Sequence, residues 1–179
     1  MSRRVPLAEA HSQNSTLRER IVEHVFVGEM LRALWCRGVV DLEVLRSEFD
    51  AHGYDLVMGR GPVVRHIQLK TGTSAKPGDV SVSMALAGKP SGCVLWIRVT
   101  PRLDMGPFFW FGSGPGEPLP LLDAYDSPRR ATHNKDGERP IRRNHRLIPG
   151  RDFRRLDAFD QVLDALFGPL PAEAEAPPT

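Results

Sequence analysis

Gly53-Tyr-Asp-Leu-Val-Met-Gly-Arg-Gly-Pro-Val-Val-Arg-His-Ile-Gln-Leu-Lys70 is the stretch that decides the fold. Two runs rich in apolar and β-branched residues, Tyr54–Met58 and Val63–Lys70, flank Gly59-Arg-Gly-Pro62. Glycine tolerates positive φ and proline ends strand pairing, so the segment predicts a β-hairpin. A four-residue turn over 59–62 pairs Met58 with Val63, Val57 with Val64 and Asp55 with His66. Side chains alternate between faces along a strand. Asp55, Val57, Val64, His66, Gln68 and Lys70 then share one face. Leu56, Met58, Val63, Ile67 and Leu69 share the other, which is almost wholly apolar and reads as core.

Working outward, residues 1–14 read as a flexible polar arm and 15–168 as a single domain. Ser15 or Thr16 caps a helix running to about Cys36, with Gly38 just past its end. Leu17, Ile21, Val25, Leu31 and Leu34 recur near helical period. Val39–Phe49 reads as a strand. Val80, Val82, Met84 and Leu86 alternate and predict another. Cys93–Thr100 is a continuous apolar run, the mark of a central strand buried on both sides. Pro107–Gly112 follows as a strand whose aromatic run is expected in the core or at a dimer surface. Trp35, Trp96 and Trp110 are expected in the core. A segment rich in Pro, Gly and charge spans 113–150, long for a structureless connection. Asp152–Phe167 reads as a closing amphipathic helix with Phe153, Leu156, Phe159, Leu163 and Leu166 on its apolar side. Residues 169–179 read as a disordered tail. Helix, strands, helix in this order predict an α/β domain around a mixed sheet.

The chain has 179 residues, 41% hydrophobic and 26% charged, values ordinary for a globular protein with a real core. No apolar run approaches the roughly 18 residues needed to span a membrane, and the N-terminus lacks the apolar stretch of a secretory signal. Two cysteines, Cys36 and Cys93, read as free thiols, so the expected location is the cytoplasm. Net charge is only +2, but residues 129–155 hold ten Lys or Arg against three acids, a net of +7, leaving −5 elsewhere. That concentration suits a polyanion such as DNA. Arg129, Arg130, Arg142, Arg143 and Arg146 are the candidate contacts; the alternative is a solvated loop.

The polar hairpin face carries candidate chemistry. A hard divalent cation such as Mg²⁺ or Mn²⁺ takes oxygen ligands and keeps several waters. Asp55 offers a carboxylate, Gln68 an amide oxygen, and Leu69 its backbone carbonyl if the ladder leaves it unused. Lys70 is placed to orient or deprotonate an attacking water, or to stabilise charge on a phosphate. Glu29 lies near the helix's apolar stripe, and a carboxylate facing a sheet needs a partner or a metal; the alternative is an ion pair with Arg32. Glu23, beside Glu19 and Arg20, reads as solvated. His66 and Glu48 are accessory candidates. His133-Asn134 and Asn144-His145 match an HNH nuclease only superficially. There is no GxGxxG, no Walker loop and no Ser-centred elbow.

A helix glutamate, then an aspartate, then Gln-x-Lys on a hairpin resembles the PD-(D/E)XK nuclease superfamily over roughly residues 17–100. In that resemblance Glu29 corresponds to the first-helix glutamate, Asp55 to the metal-binding aspartate, and Gln68 with Lys70 to the (D/E)-x-K pair in its Gln variant. It implies a restriction-endonuclease-like fold, a mixed sheet of about four strands flanked by helices, with a Mg²⁺- or Mn²⁺-dependent site that hydrolyses DNA. Many such nucleases act as homodimers. Two departures stand out: Tyr54 rather than Pro precedes Asp55, and Gln68 replaces an acid. The second keeps open a catalytically degenerate module that binds nucleic acid or a protein.

Overall fold

The computed structural model describes residues 6–47, 52–135 and 137–173. Two helices come first, α1 (Leu7–Gln13) and α2 (Ser15–Cys36). Three strands follow, β1 (Leu42–Arg46), β2 (Leu56–Arg60) and β3 (Val63–Gly72). Next come β4 (Val80–Ser83), the short α3 (Met84–Ala87), β5 (Gly92–Val99) and β6 (Met105–Gly112). The chain closes with β7 (His145–Ile148), a 3-10 turn at Gly150–Asp152, β8 (Arg154–Leu156) and α4 (Phe159–Phe167). Six strands form one mixed sheet in the order β1-β2-β3-β5-β6-β8, while β4 and β7 make a separate ribbon. Among the described residues only the β3–β5 pairing is parallel; the others are antiparallel.

The alternation of β5 builds two cores. Cys93, Leu95, Ile97 and Val99 join Val22, Phe26, Met30 and Leu34 of α2 and Leu163 and Leu166 of α4. Val94 and Trp96 join Val82, Leu86, Phe109, Phe111, Leu122 and Ile148 on the opposite face. Phe26 is fully buried and meets Phe159 edge-on at 5.8 Å; burying such a side chain contributes roughly 2–3 kcal/mol. Phe108 to Phe111 are all buried, so the aromatic run is core.

The hairpin turn is tighter than the sequence suggests. Only Gly61 and Pro62 form it, with Gly61 at φ +52°. Gly59 and Arg60 stay in β2, opposite Val64 and Val63. Val57 therefore faces His66. Asp55, beyond the last pair Leu56–Ile67, donates its amide to the Ile67 carbonyl at 2.9 Å, one residue out of that register. The shift is two residues, an even number, so Val57, Val64, His66 and Gln68 keep their predicted face. Asp55 does not, because it lies one residue off that register and lines a cleft with Glu19 and Glu23 of α2. One residue on the apolar face is not apolar: Arg65 is fully buried.

Other expectations change. The arm over 1–14 is helical from Leu7 to Gln13, where Leu7, Ala8 and Ala10 favour helix and His11 Nε2 reaches the Pro101 carbonyl at 3.0 Å. On α2 the buried residues are Val22, Glu23, Phe26, Val27, Met30, Ala33 and Leu34. Leu17, Ile21, Val25 and Leu31 lie on the exposed side, as does Trp35, 73% exposed rather than core. The alternation over Val80–Leu86 stops at Met84 because the Ser83 hydroxyl accepts the Ala85 amide and starts α3. The closing helix begins at Phe159, not Asp152; Leu156 belongs to β8, and Phe153 packs in the opposite core. The long 113–150 segment is anchored by Leu119 and Leu122, by an Arg129–Ile141 bridge and by β7. In the expected tail, Glu173 pairs with Arg37 at 3.2 Å, and residues 174–179 lie outside the described residues. No helix among the described residues is long and apolar enough to cross a membrane.

Candidate functional site

The β2–β3 ladder ends at Leu56 and Ile67, while β3 runs on to Gly72. N–H and C=O of one strand residue point to the same side, alternating along the strand. Ile67 faces β2, so Leu69 faces the gap beyond the end of β2. Its amide donates to Asp55 Oδ2 at 2.7 Å, a short charge-assisted bond. Asp55 thus folds its carboxylate over the end of its own strand, and the Leu69 carbonyl opens into the same gap. Gly53 makes the approach possible: it takes φ +71°, and a Cβ there would collide with Ser83.

Two clefts meet at Lys70. The first, about 320 Å³, lies under the N-terminal half of α2 and is lined by Glu19, Arg20, Glu23, Asp55, Leu69 and Lys70, with Thr16 and Thr71. The second, about 630 Å³, lies between β3 and the β4–β7 ribbon; Gln68 and Lys70 line it with Ser81, Ser83, Arg142 and Asn144. Lys70 is half-buried, and its ammonium has no hydrogen bond or ion pair among the described residues.

The helix acid at the first cleft is Glu23, not Glu29. Glu29 is ion-paired with Arg32 at 2.6 Å and lines neither cleft. That contact raises the Arg32 guanidinium above its ordinary value, through the hydrogen bond first and charge second. Glu23, expected to be solvated, is 6% exposed. Its Oε2 accepts from Arg20 at 3.0 Å, and its Oε1 lies 3.3 Å from Arg46 Nε without a hydrogen bond. A sequence signal existed: Phe26 and Val27, three and four residues on from Glu23, are both core.

The remaining candidates fall as follows. His66 lies edge-on against Tyr54, 5.1 Å between centroids, with Nδ1 buried and unpartnered. Burial first, and then Lys89, push it below its ordinary value, so it is neutral at pH 7. It lines neither cleft. Glu48 lies outside the described residues. Of the basic segment, Arg142 reaches the second cleft, bonded to His145 Nε2 at 2.7 Å. Arg146 is spent on Ser127 and on the Arg143 and His145 carbonyls. Arg129, Arg130 and Arg143 are exposed, and Arg129 bonds the Arg139 carbonyl. Ser81 was not singled out from the sequence, and Asn144 only within a superficial HNH-like pair.

Arg65 holds this hairpin from behind. It donates to the Leu166 carbonyl (2.9 Å), the Ala165 carbonyl (2.6 Å), the Ser113 carbonyl (2.9 Å) and Ser91 Oγ (2.9 Å), and its guanidinium lies 5.3 Å from the Trp110 ring centroid. Two of these acceptors are in the last turn of α4, where cationic charge complements the helix dipole. Burial lowers the guanidinium from its ordinary value.

No protein-family model matches the chain, and no curated protein matches it.

Among the described residues, no group of three or more His, Cys, Asp or Glu is gathered as a metal cage. A Mg²⁺-type ion does not need one, since it is commonly held by one or two carboxylates and keeps its waters. The first cleft suits it: Asp55, the Leu69 carbonyl and Glu23 supply oxygens. Glu23 Oε1 and Thr71 Oγ1 are buried there without a hydrogen bond. The donors are hard oxygens with no thiol or imidazole among them, the set a hard cation prefers.

Proposed function

We propose that this protein is a metal-dependent phosphodiesterase acting on DNA, built on a restriction-endonuclease-like sheet. The observation that carries the reading is the convergence of Asp55, the Leu69 backbone, Lys70 and Glu23 on one cleft at the uncovered end of β2. Further support is the order of elements, in which a long helix precedes the hairpin and a crossover returns to the parallel β5. Asp55, the Leu69 carbonyl and Glu23 would hold Mg²⁺ or Mn²⁺. The ion would supply Lewis acidity at the phosphate and a more acidic water. The chain's own part is positional. The Leu69 amide fixes Asp55. The Lys70 ammonium, without a competing partner among the described residues, stands where charge on a phosphate oxygen would grow. The exposed arginines around Arg142 add attraction for the phosphate backbone.

Plasmid and oligonucleotide cleavage in Mg²⁺ and in chelator tests this reading. Wild type is expected to cut only with the ion, and Asp55→Asn and Lys70→Met to lose roughly a hundredfold or more. Equal rates in all three would sink the assignment. A second reading has its own support. Glu23 is flanked by Arg20 and Arg46, which neutralise it. A non-catalytic module that binds nucleic acid on this fold would show salt-dependent affinity and no divalent site.

A further inference from the structure

We propose that the second cleft, between β3 and the β4–β7 ribbon, binds one nucleotide unit of the nucleic acid, and that Gln68 contacts this nucleotide rather than a cation. The assignment rests on the phosphodiesterase reading for the identity of its ligand and separates from it in the test below.

Charge gives the first half of the ligand. Lys70 and Arg142 line the cleft, and none of its lining residues among those described is acidic. The ligand therefore carries negative charge, which Arg can meet bidentately and Lys as a point charge.

Two buried oxygens give the second half. Gln68 is 7% exposed, and its Oε1 is buried with no hydrogen-bond partner. Ser81 Oγ is likewise buried and unpartnered. An amide oxygen only accepts. A phosphodiester group brings no donor to it, so a nucleic-acid ligand meets it with an N–H or O–H from elsewhere on the molecule. A nucleotide does both: the phosphate meets Lys70 and Arg142, and a base N–H or sugar hydroxyl meets Gln68 Oε1. A ligand that places an N–H or O–H against this oxygen satisfies it. The cleft, about 630 Å³, is large enough for a base with its sugar and phosphate.

Lys70 ties the clefts together, because it lines both. A nucleotide seated against Gln68 presents its phosphate at Lys70, next to the Asp55 cleft. Gln68 lines the ribbon cleft and not the one that Asp55 lines.

The test uses the full chain in chelator, where no cutting occurs. Binding of thymidine 5′-monophosphate, of inorganic phosphate and of a short fluorescein-labelled DNA strand is measured for wild type, Gln68→Ala, Gln68→Glu and Arg142→Ala. Mn²⁺ binding to each is read separately by electron paramagnetic resonance. Wild type should bind the mononucleotide more tightly than phosphate, and the strand should displace it. Arg142→Ala, at an exposed position that leaves the fold intact, should weaken both by about tenfold. Gln68→Ala should weaken them about fivefold, and Gln68→Glu more, because a carboxylate would then face the phosphate. Mn²⁺ affinity should be unchanged in all three.

Tighter Mn²⁺ binding in Gln68→Glu would make residue 68 a metal ligand and overturn the assignment. So would a mononucleotide that binds no better than phosphate, or that the strand fails to displace. A protein that binds the mononucleotide in chelator but cuts nothing in Mg²⁺ keeps this assignment and discards the nuclease. One that cuts DNA, while Arg142→Ala and Gln68→Ala bind like wild type, does the reverse.

Discussion

Asp55 Oδ2 accepts the Leu69 amide at 2.7 Å, so the candidate ligand is also the clasp that joins the end of β2 to the part of β3 that outruns it. Structure and chemistry therefore separate on substitution. Asp55→Ala leaves the Leu69 N–H unpaired and should cost about 1–3 kcal/mol. Asp55→Asn keeps an acceptor and should cost less, though it loses the charge. Urea denaturation of both variants checks this; equal losses would mean that the hydrogen bond contributes nothing.

The two helix glutamates provide the sharpest comparison. Glu29→Gln removes only a surface ion pair with Arg32, so stability should change by less than about 1 kcal/mol and any cleavage should persist. Glu23→Gln should abolish metal-dependent cleavage. It also removes the charge facing Arg20 and Arg46, both largely exposed, and Arg46 keeps its contact with His24, so the fold should survive. Metal-dependent rates measured alongside circular dichroism decide it; a Glu29→Gln loss with Glu23→Gln intact would reverse the assignment.

Arg65→Met should be the most damaging single change in the hairpin. It strands the carbonyls of Ala165, Leu166 and Ser113 together with the Ser91 hydroxyl. The expected loss is on the order of 3 kcal/mol or more. Arg65→Lys should rescue only part, because a single ammonium does not reproduce the planar fork. An unchanged denaturation midpoint for Arg65→Met would refute the role.

His66 sets a pH dependence. Its folded-state value lies below the ordinary 6.5, burial being the main cause. Below 6.5 the unfolded chain takes up a proton that the native state refuses. Stability therefore falls as pH drops from 6.5 to the depressed folded value, and is fully present above 6.5. His66→Phe, which keeps an aromatic ring against Tyr54, should flatten that part of the melting temperature against pH. An identical acid slope in the variant would exclude His66 as its source.

The hairpin was legible because its information has period two. Misjudging the turn by two residues put Val57 in place of Asp55 opposite His66 without turning over any of the paired side chains. Asp55, past the end of that register, lies on the α2 side instead. Helix α2 was legible as a helix but not in its orientation. Leu17, Ile21, Val25 and Leu31 form one apolar stripe, and Val22, Phe26, Met30 and Leu34 another on the opposite side. Periodicity does not rank two such stripes; only packing against the sheet does. Choosing the outer one selected Glu29 over Glu23. The ribbon cleft was not legible, because it forms where Ser81 and Ser83 of β4 pair with Leu147 and His145 of β7, across the long basic segment. That pairing leaves no local pattern.

The Arg65 anchorage has a consequence for the order of synthesis. Its guanidinium bonds to carbonyls 100 and 101 residues further along the chain. A nascent chain that has delivered the hairpin but not residues 159–167 lacks two of the four acceptors for a charge that must be buried. The β2–β3 hairpin therefore reaches its final stability only when translation has delivered α4, so a half-made chain carries its candidate site on an unanchored hairpin.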